Sequence, residues 1–397
     1  MQINKTIVNT GVLLISAGVS LLLCEGAVRL ILNPADYLSL EMIPDNVLGA
    51  APPHLTGRTG IDDWGFRNPS VPQTADILAI GDSHTYGNTA TMQDSWPSTV
   101  ARLTGRNVYN MGLGGYGPNQ YLYLLKTKGI TLKPRTVVCA LYMGDDFENA
   151  YLITYGLDHW AWLRRLSAQD VNFNIWQTPH TPSWNKRVRI WFSQHSVAYQ
   201  LAFHGSFLGR LQGEAQIRNA SKIYDSTVTL DLPQQHILEA FRPQSMLIRL
   251  DQSSEAVREG MRITFELLRE MNDICRTNHA KFLVTVIPTK EMVFSRYLEH
   301  NQTIALNDVI DQLVANERMA RARTFDFLRS ANIAYVDPLP GLQAAVGKEL
   351  YARTAADMHP GKNGYHVIGE AISAALQHPD HVGERRYVPP ESASQTQ

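Results

Sequence analysis

Three side chains in this sequence are of the types that cleave esters by nucleophilic attack: a serine, a histidine and a carboxylate. Ser83 follows Gly81 and Asp82, directly after the apolar run Ile77-Leu78-Ala79-Ile80. Asp357 and His359 stand two residues apart near the other end, just before a helix-like segment. A hydroxyl on a strand-to-helix turn, with a carboxylate and an imidazole on one late loop, suggests acyl transfer through a covalent intermediate. Within Asp357-Met358-His359 the carboxylate can meet Nδ1 of the ring while Nε2 points outward to a hydroxyl. It then fixes the useful tautomer and stabilises the imidazolium that forms during attack. A Gly-Asp-Ser tripeptide alone is weak evidence, since roughly one chain in ten of this length contains one by chance. The bland alternatives are a turn serine capping a helix, a capping Asp357 and a surface His359.

These residues need a scaffold, and the alternation of elements predicts one. Asp76 to Ile80 reads as a buried strand, Trp96 to Leu103 as a helix, Asn107 to Met111 as a strand, Asn119 to Lys128 as a helix and Arg135 to Met143 as a strand. After an irregular stretch, a helix near Ser254 to Thr277 keeps helical spacing at Val257, Met261, Leu268, Met271 and Cys275. Lys281 to Ile287 is a fourth strand, followed by a long helical segment up to Ser330, a fifth strand at Ile333 to Val336 and a last helix after Pro360. Strands separated by helices predict an α/β fold, a three-layer α/β/α sandwich around a parallel sheet of about five strands. Ligands bind beyond the carboxyl ends of such strands, where Ser83, the loop Gly112 to Pro118, Gly144 and Pro288-Thr289-Lys290 all fall.

The domain reading follows. Residues 1–32 form an N-terminal membrane anchor and 33–74 a linker that becomes structured near Trp64 to Arg67. Residues 75–380 form the catalytic domain, with an aromatic-rich insertion at 148–248, and 381–397 a disordered tail. Ile7 to Leu23, extended by Ala27 to Leu32, is long and apolar enough to cross a bilayer of ~30 Å. The alternatives are a cleaved signal peptide, a lipoprotein signal ending at Cys24, or a buried helix. Lys5 favours an inside N-terminus, which puts the body in the periplasm or outside the cell.

Composition narrows the classes further. With 36 Lys and Arg against 37 Asp and Glu, the net charge is −1, so no basic field exists for nucleic acid. Cys24, Cys139 and Cys275 form no paired framework and no metal spacing, and His54, His159, His180 and His195 lack a ligand pattern. No phosphate-cradling loop occurs, because the glycines around Gly112 lack a following Lys-Ser/Thr. No cofactor is expected. The insertion holds five of the seven tryptophans, Trp160, Trp162, Trp176, Trp184 and Trp191. They fill its own core, stack on sugar rings or lie on the membrane. Trp64 and Arg67 read as packing residues. His84 is poorly placed to take the Ser83 proton, because neighbouring side chains diverge.

Taken together, the blocks resemble those of the SGNH hydrolases, the GDSL-type esterases and lipases. The first block matches Gly81-Asp82-Ser83, the second resembles Asn110 to Gly115, and the last matches Asp357-Met358-His359-Pro360, in the family's order. The resemblance spans roughly residues 64 to 147 and 281 to 376. It implies a flavodoxin-like sandwich, Ser83 as nucleophile, His359 as base and acid, and Asp357 as its orienting carboxylate. It also implies an oxyanion hole from the N–H groups of Ser83 and Gly115, with Gly114 the neighbouring possibility. One block departs: the family's third motif supplies an Asn donor, and this chain has Asp145 in Gly144-Asp145-Asp146. An ionised Asp145 would forfeit about 3 kcal/mol of oxyanion stabilisation. Either it is protonated, or it turns away, or Asn149 substitutes; Asp145→Asn is expected to speed hydrolysis of simple esters. Lys290, at a strand end, is either a substrate contact or part of an ion pair.

The function implied is an esterase or deacylase working through an acyl-enzyme on an ester-bearing small molecule, lipid or polysaccharide. The runner-up is an O-acetyltransferase of a cell-envelope or exopolysaccharide, as in alginate-acetylation relatives of the family. The third reading is an inactive carbohydrate-binding scaffold.

Overall fold

Short runs of apolar residues become strands buried on both faces because helices cover the sheet from either side. The computed structural model describes residues 5–38, 42–52, 60–165, 183–202, 207–223, 226–352 and 357–377. The first helix, α1 (Lys5–Ile31), leads to a small antiparallel hairpin of β1 (Ile43–Asp45) and β2 (Gly49–Ala51) within the expected linker. The core begins with β3 (Ile77–Gly81), the one-turn α2 (Ser83–Tyr86), α3 (Trp96–Thr104) and β4 (Val108–Gly112). It continues through α4 (Pro118–Thr127), β5 (Thr136–Tyr142) and α5 (Asp146–Gly156). Next come α6 (Trp184–His195), α7 (Val197–Gln200), α8 (Phe207–Arg218) and α9 (Ala220–Ile223). A hairpin of β6 (Val228–Leu232) and β7 (Ile237–Phe241) then precedes α10 (Pro243–Leu250). The chain returns to the sheet with α11 (Glu255–Thr277), β8 (Lys281–Ile287), α12 (Lys290–Val293), α13 (Ser295–Leu298) and α14 (Asn307–Ser330). It closes with β9 (Ala334–Val336), α15 (Leu339–Ala344) and α16 (Lys362–Gln377).

The central sheet has five strands in the order β4-β3-β5-β8-β9, every neighbouring pair parallel. This is the predicted sandwich. Alternate residues of β3 serve opposite layers: Leu78 and Ile80 pack with residues of α4, α5 and α11, and Ile77 and Ala79 with residues of α3 and α16. The chain leaves β3 for β4 on one side and then crosses to β5 on the other. The end of β3 is therefore the switch point where such sheets open a crevice.

Three features differ from expectation. The segment after β8 is not one helix but α12, α13 and α14, because Glu299 turns extended at the end of α13 and His300 and Leu306 take left-handed φ values of 56° and 63° before α14. The β6–β7 hairpin has no clear sequence signal, since its alternation is masked by Pro233 and two glutamines. The insertion's tryptophans do not fill one core. Trp160 is buried and donates to Val47 O at 2.8 Å, whereas Trp162, Trp184 and Trp191 are exposed. Trp176 and the tail at 381–397 lie outside the described residues.

Residues Asn9–Ile31 of α1, with mean hydropathy 2.0, are long and apolar enough to cross a bilayer, and none of that window is buried in the protein. Near its end, Glu25 accepts hydrogen bonds from Ser196 Oγ at 2.8 Å and from Val197 and Ala198 N–H at 2.9 Å each. Arg29 donates to His195 O at 2.7 Å. The aromatic insertion is thereby tied to the last turns of α1.

Gly112, at the end of β4, permits the closest backbone approach at the switch point. A Cβ there would stand 2.3 Å from Tyr86 N and 2.5 Å from Thr85 C, both backbone atoms. Gly112→Ala is expected to lower stability by about 1–3 kcal/mol through overpacking, read as a lower midpoint in thermal unfolding. An unchanged midpoint contradicts this close packing.

Candidate active site

Ser83 owes its position to how β3 ends. Asp82 leaves the strand and its Oδ1 accepts from His84 N–H at 2.9 Å, which starts α2 at the serine itself. Gly87, at φ 85°, ends the turn at once. The hydroxyl is thus presented at the carboxyl edge of the sheet.

The late loop meets it there. His359 Nε2 lies 2.7 Å from Ser83 Oγ, and Nδ1 lies 2.7 Å from Asp357 Oδ1. The same Oδ1 also accepts from the His359 N–H at 2.9 Å, so one carboxylate oxygen holds both the backbone and the ring. The loop is fastened to the serine's own turn. Thr89 Oγ1 donates to Pro360 O at 2.8 Å, and Tyr365 Oη donates to Asn88 O at 3.0 Å. Thr89 sits at φ 68°, a conformation costly for a β-branched residue and offset by that contact. These two clamps have no signal in the sequence.

The charges favour transfer of a proton toward the ring. Burial lowers the His359 pKa, but the hydrogen bond and charge of Asp357, and then the charge of Asp82, raise it above the ordinary imidazole value. Burial pushes Asp357 upward, and the bond and charge of His359 together with the Lys290 ammonium more than offset it, leaving the carboxyl below its usual range. Such a pair can take a hydroxyl proton and hold it as imidazolium.

Asp145 sits between β5 and α5, on the wall of a cleft of about 360 Å³ that His84, Tyr142, Arg249, Asp357 and His359 also line. It heads α5 without a side-chain cap, and its buried Oδ1 has no hydrogen-bond partner among the described residues. Burial, and then the charge of Asp82, push its pKa up to about 8. A carboxyl held this far above its usual range keeps its proton further up the pH scale, and a protonated carboxyl can donate a hydrogen bond. Asp146, beside it, is structural: it accepts from Tyr142 N–H and from Tyr121 Oη, each at 2.8 Å.

The glycine turn after β4 supplies backbone N–H groups. A Cβ on Gly114 would stand 3.8 Å from Ser83 Cβ, so Gly114 borders the serine directly. Gly115, next to it, has φ 77°, which favours glycine. Lys290 does not line the cleft. Its ammonium is buried 2.6 Å from Glu239 Oε2, donates to Ala240 O at 3.1 Å and lies over the Phe241 and Tyr351 rings. The ion pair of the two expectations is what forms. Arg67 is likewise structural, donating to Gly87 O at 3.0 Å and Ala90 O at 2.8 Å and pairing with Asp36.

His84, which the sequence argues against, is beside the centre. Its Nδ1 lies 3.0 Å from Asp82 Oδ2, its ring rests 3.9 Å from that of Tyr142, and it stands 4.9 Å from the His359 ring. Adjacent side chains do diverge, and the turn of α2 sends this one round to the cleft wall. Among the described residues no cluster of ligands suited to a metal ion occurs.

By sequence, no protein-family model and no curated protein matches the chain. By structure, 37 solved chains do. Among them is an extracellular lipase from Streptomyces rimosus, 13% identical, covering 77% of this chain and 99% of that one, with a TM-score of 0.39. Another is a catalytic mutant of an acetylxylan esterase from Geobacillus stearothermophilus, 11% identical, covering 77% and 95%, with a TM-score of 0.34. A third is a GDSL-like lipase from Bacteroides thetaiotaomicron, 12% identical, covering 78% and 93%, with a TM-score of 0.33. The likeness is to GDSL-type lipases and esterases, at low identity throughout.

Proposed function

We propose that this chain is an SGNH-type serine esterase that removes acyl groups through a covalent intermediate on Ser83. The observation that carries this reading is the 2.7 Å approach of His359 Nε2 to Ser83 Oγ, with Asp357 at 2.7 Å behind the ring. In the first step Ser83 Oγ bonds to the ester carbonyl carbon, and its proton passes to His359 Nε2. His359 then gives that proton to the departing alcohol as the carbon–oxygen bond breaks. Water repeats the sequence in reverse and releases the acid. The carbonyl oxygen, negative in each tetrahedral intermediate, faces the Ser83 N–H, the glycine turn at Gly114 and Gly115, and the protonated Asp145. One such donor is worth about 3–4 kcal/mol.

With Asp145 protonated, one of the alternatives the sequence leaves open, the enzyme is pH-gated rather than slow at every pH. Activity rises as pH climbs through the His359 pKa, which lies above the ordinary 6.5, because only the neutral ring accepts a proton. It falls as pH climbs past about 8, because Asp145 then loses the proton it donates.

A second reading passes the acyl group to a saccharide hydroxyl rather than to water. The cleft of about 360 Å³ beside His359 leaves room for such an acceptor. On either reading, α1 is proposed as a single-pass anchor with its N-terminus inside, leaving the catalytic body periplasmic or extracellular. The apolar 23-residue span and the Glu25 and Arg29 ties to the insertion support this.

Two tests follow. The protein incubated with an acetyl ester, with and without a saccharide, is expected to release acetate, and Ser83→Ala to abolish release without lowering the thermal midpoint. Acetylated sugar in place of acetate establishes the transferase, and neither product leaves a binding scaffold. The pH profile of kcat/KM is expected to be bell-shaped. Asp145→Asn should match the wild type within about threefold at pH 7, lose the alkaline limb, and exceed the wild type by about tenfold per pH unit above 8. An alkaline limb that survives this substitution contradicts the role given to Asp145.

A further inference from the structure

Acyl transfer by Ser83, His359 and Asp357 leaves one buried pair beside the centre unused. Asp82 holds His84 through both the His84 N–H at 2.9 Å and Nδ1 at 3.0 Å, and the ring packs on Tyr142. An imidazole fixed at Nδ1 by a carboxylate keeps Nε2 as an acceptor, the arrangement Asp357 imposes on His359. His84 lines the same cleft as His359, and the two rings stand 4.9 Å apart. With ring centres 4.9 Å apart on one cleft wall, both imidazoles lie within reach of a single small molecule carrying two O–H groups.

We propose that His84 binds the acyl acceptor: its Nε2 accepts a hydrogen bond from a second O–H of the molecule whose first O–H gives its proton to His359. The inference rests on the esterase reading of Ser83. The acceptors it selects are water, which has two O–H bonds, and vicinal diols such as those of saccharides. Simple alcohols, with one O–H, make only half the contacts. In this step the acceptor oxygen bonds to the acyl carbon and the bond from that carbon to Ser83 Oγ breaks. The proton taken by His359 passes to Ser83 Oγ. The second O–H stays intact, and His84 neither gains nor loses a proton. Burial keeps His84 below the ordinary imidazole pKa despite the charge of Asp82, and the nearby His359 lowers it further, in keeping with a neutral ring.

The test separates acylation from its reversal on the full-length protein with p-nitrophenyl acetate. With enzyme in excess, nitrophenol release reports acylation, and loss of the acetyl mass from the protein reports deacylation. His84→Leu is expected to acylate within about threefold of the wild type and to deacylate on the order of 30-fold more slowly. His84→Gln, which keeps an acceptor oxygen, should recover part of that loss. With ethylene glycol and ethanol as competing acceptors, the wild type should favour the diol by about tenfold and His84→Leu should not. Equal losses in both half-reactions, or a diol preference that survives in His84→Leu, overturn the proposal. If His84→Leu fails to fold, as its melting curve would show, His84→Gln decides the matter: normal acylation with a weakened diol preference supports the proposal, and an unchanged preference overturns it. Absence of both nitrophenol release and an acetyl adduct on the wild type, or nitrophenol release undiminished in Ser83→Ala, overturns the reading of Ser83 itself, and this inference with it.

Discussion

A single imidazole, held between a carboxylate and a hydroxyl 276 residues away along the chain, is the contact on which the rest depends. Its geometry is over-determined. Asp357 grips both the ring and the backbone of His359, so the loop cannot rotate without losing two hydrogen bonds at once. Thr89 and Tyr365 bind this loop to the turn that carries the serine. The sheet order then explains why the two segments meet at all, because β3 ends at the switch point and α16 packs against α3 on the same layer. A preorganised pair of this kind needs little reorganisation during proton transfer, where much of the catalytic advantage of such sites arises.

Around that contact lies an unusual density of buried carboxyls. Asp82, Asp145 and Asp146 all sit within the protein, close enough to shift one another. They cannot all be charged there, since like charges in a poorly solvated region repel strongly. Their partners set them apart. The His84 ring and N–H hold the Asp82 pKa down, whereas Asp145 has an oxygen without a hydrogen-bond partner among the described residues and burial pushes its pKa up. On the proposed reading, what looks in sequence like the loss of an amide donor serves, buried beside Asp82, as a neutral acid below about pH 8.

How much of this is legible in the sequence follows from range. The strand, the tight turn and Ser83 are set by residues within a few positions, as are Asp357 and His359, so all three can be named from local pattern alone. The five strands are legible because buried parallel strands are apolar without interruption. The protonation state of Asp145 is not, since it depends on Asp82, 63 positions away, and on desolvation that no local pattern reports. Lys290 is ambiguous for the same reason: Glu239, its partner, lies on a hairpin that the sequence does not announce. For His84 the local rule that adjacent side chains diverge agrees with the geometry: the ring turns to Asp82 and the cleft wall, and His359 meets the Ser83 hydroxyl.

The proposed anchor would give the chemistry a location. Glu25 and Arg29, near the C-terminal end of α1, hold the insertion by three N–H or O–H donors and one carbonyl, so the body of the protein and the apolar helix are joined by more than the connecting chain. The central claim concerns the serine, and the most direct measurement is a crystal structure of the protein after reaction with an organophosphonate ester. The account expects one phosphorus bonded to Ser83 Oγ, with His359 Nε2 within hydrogen-bonding distance and a phosphonyl oxygen facing Asp145 and the Gly114–Gly115 turn. A phosphonate carried by any other residue, or an adduct on Ser83 with His359 swung out of reach, contradicts it.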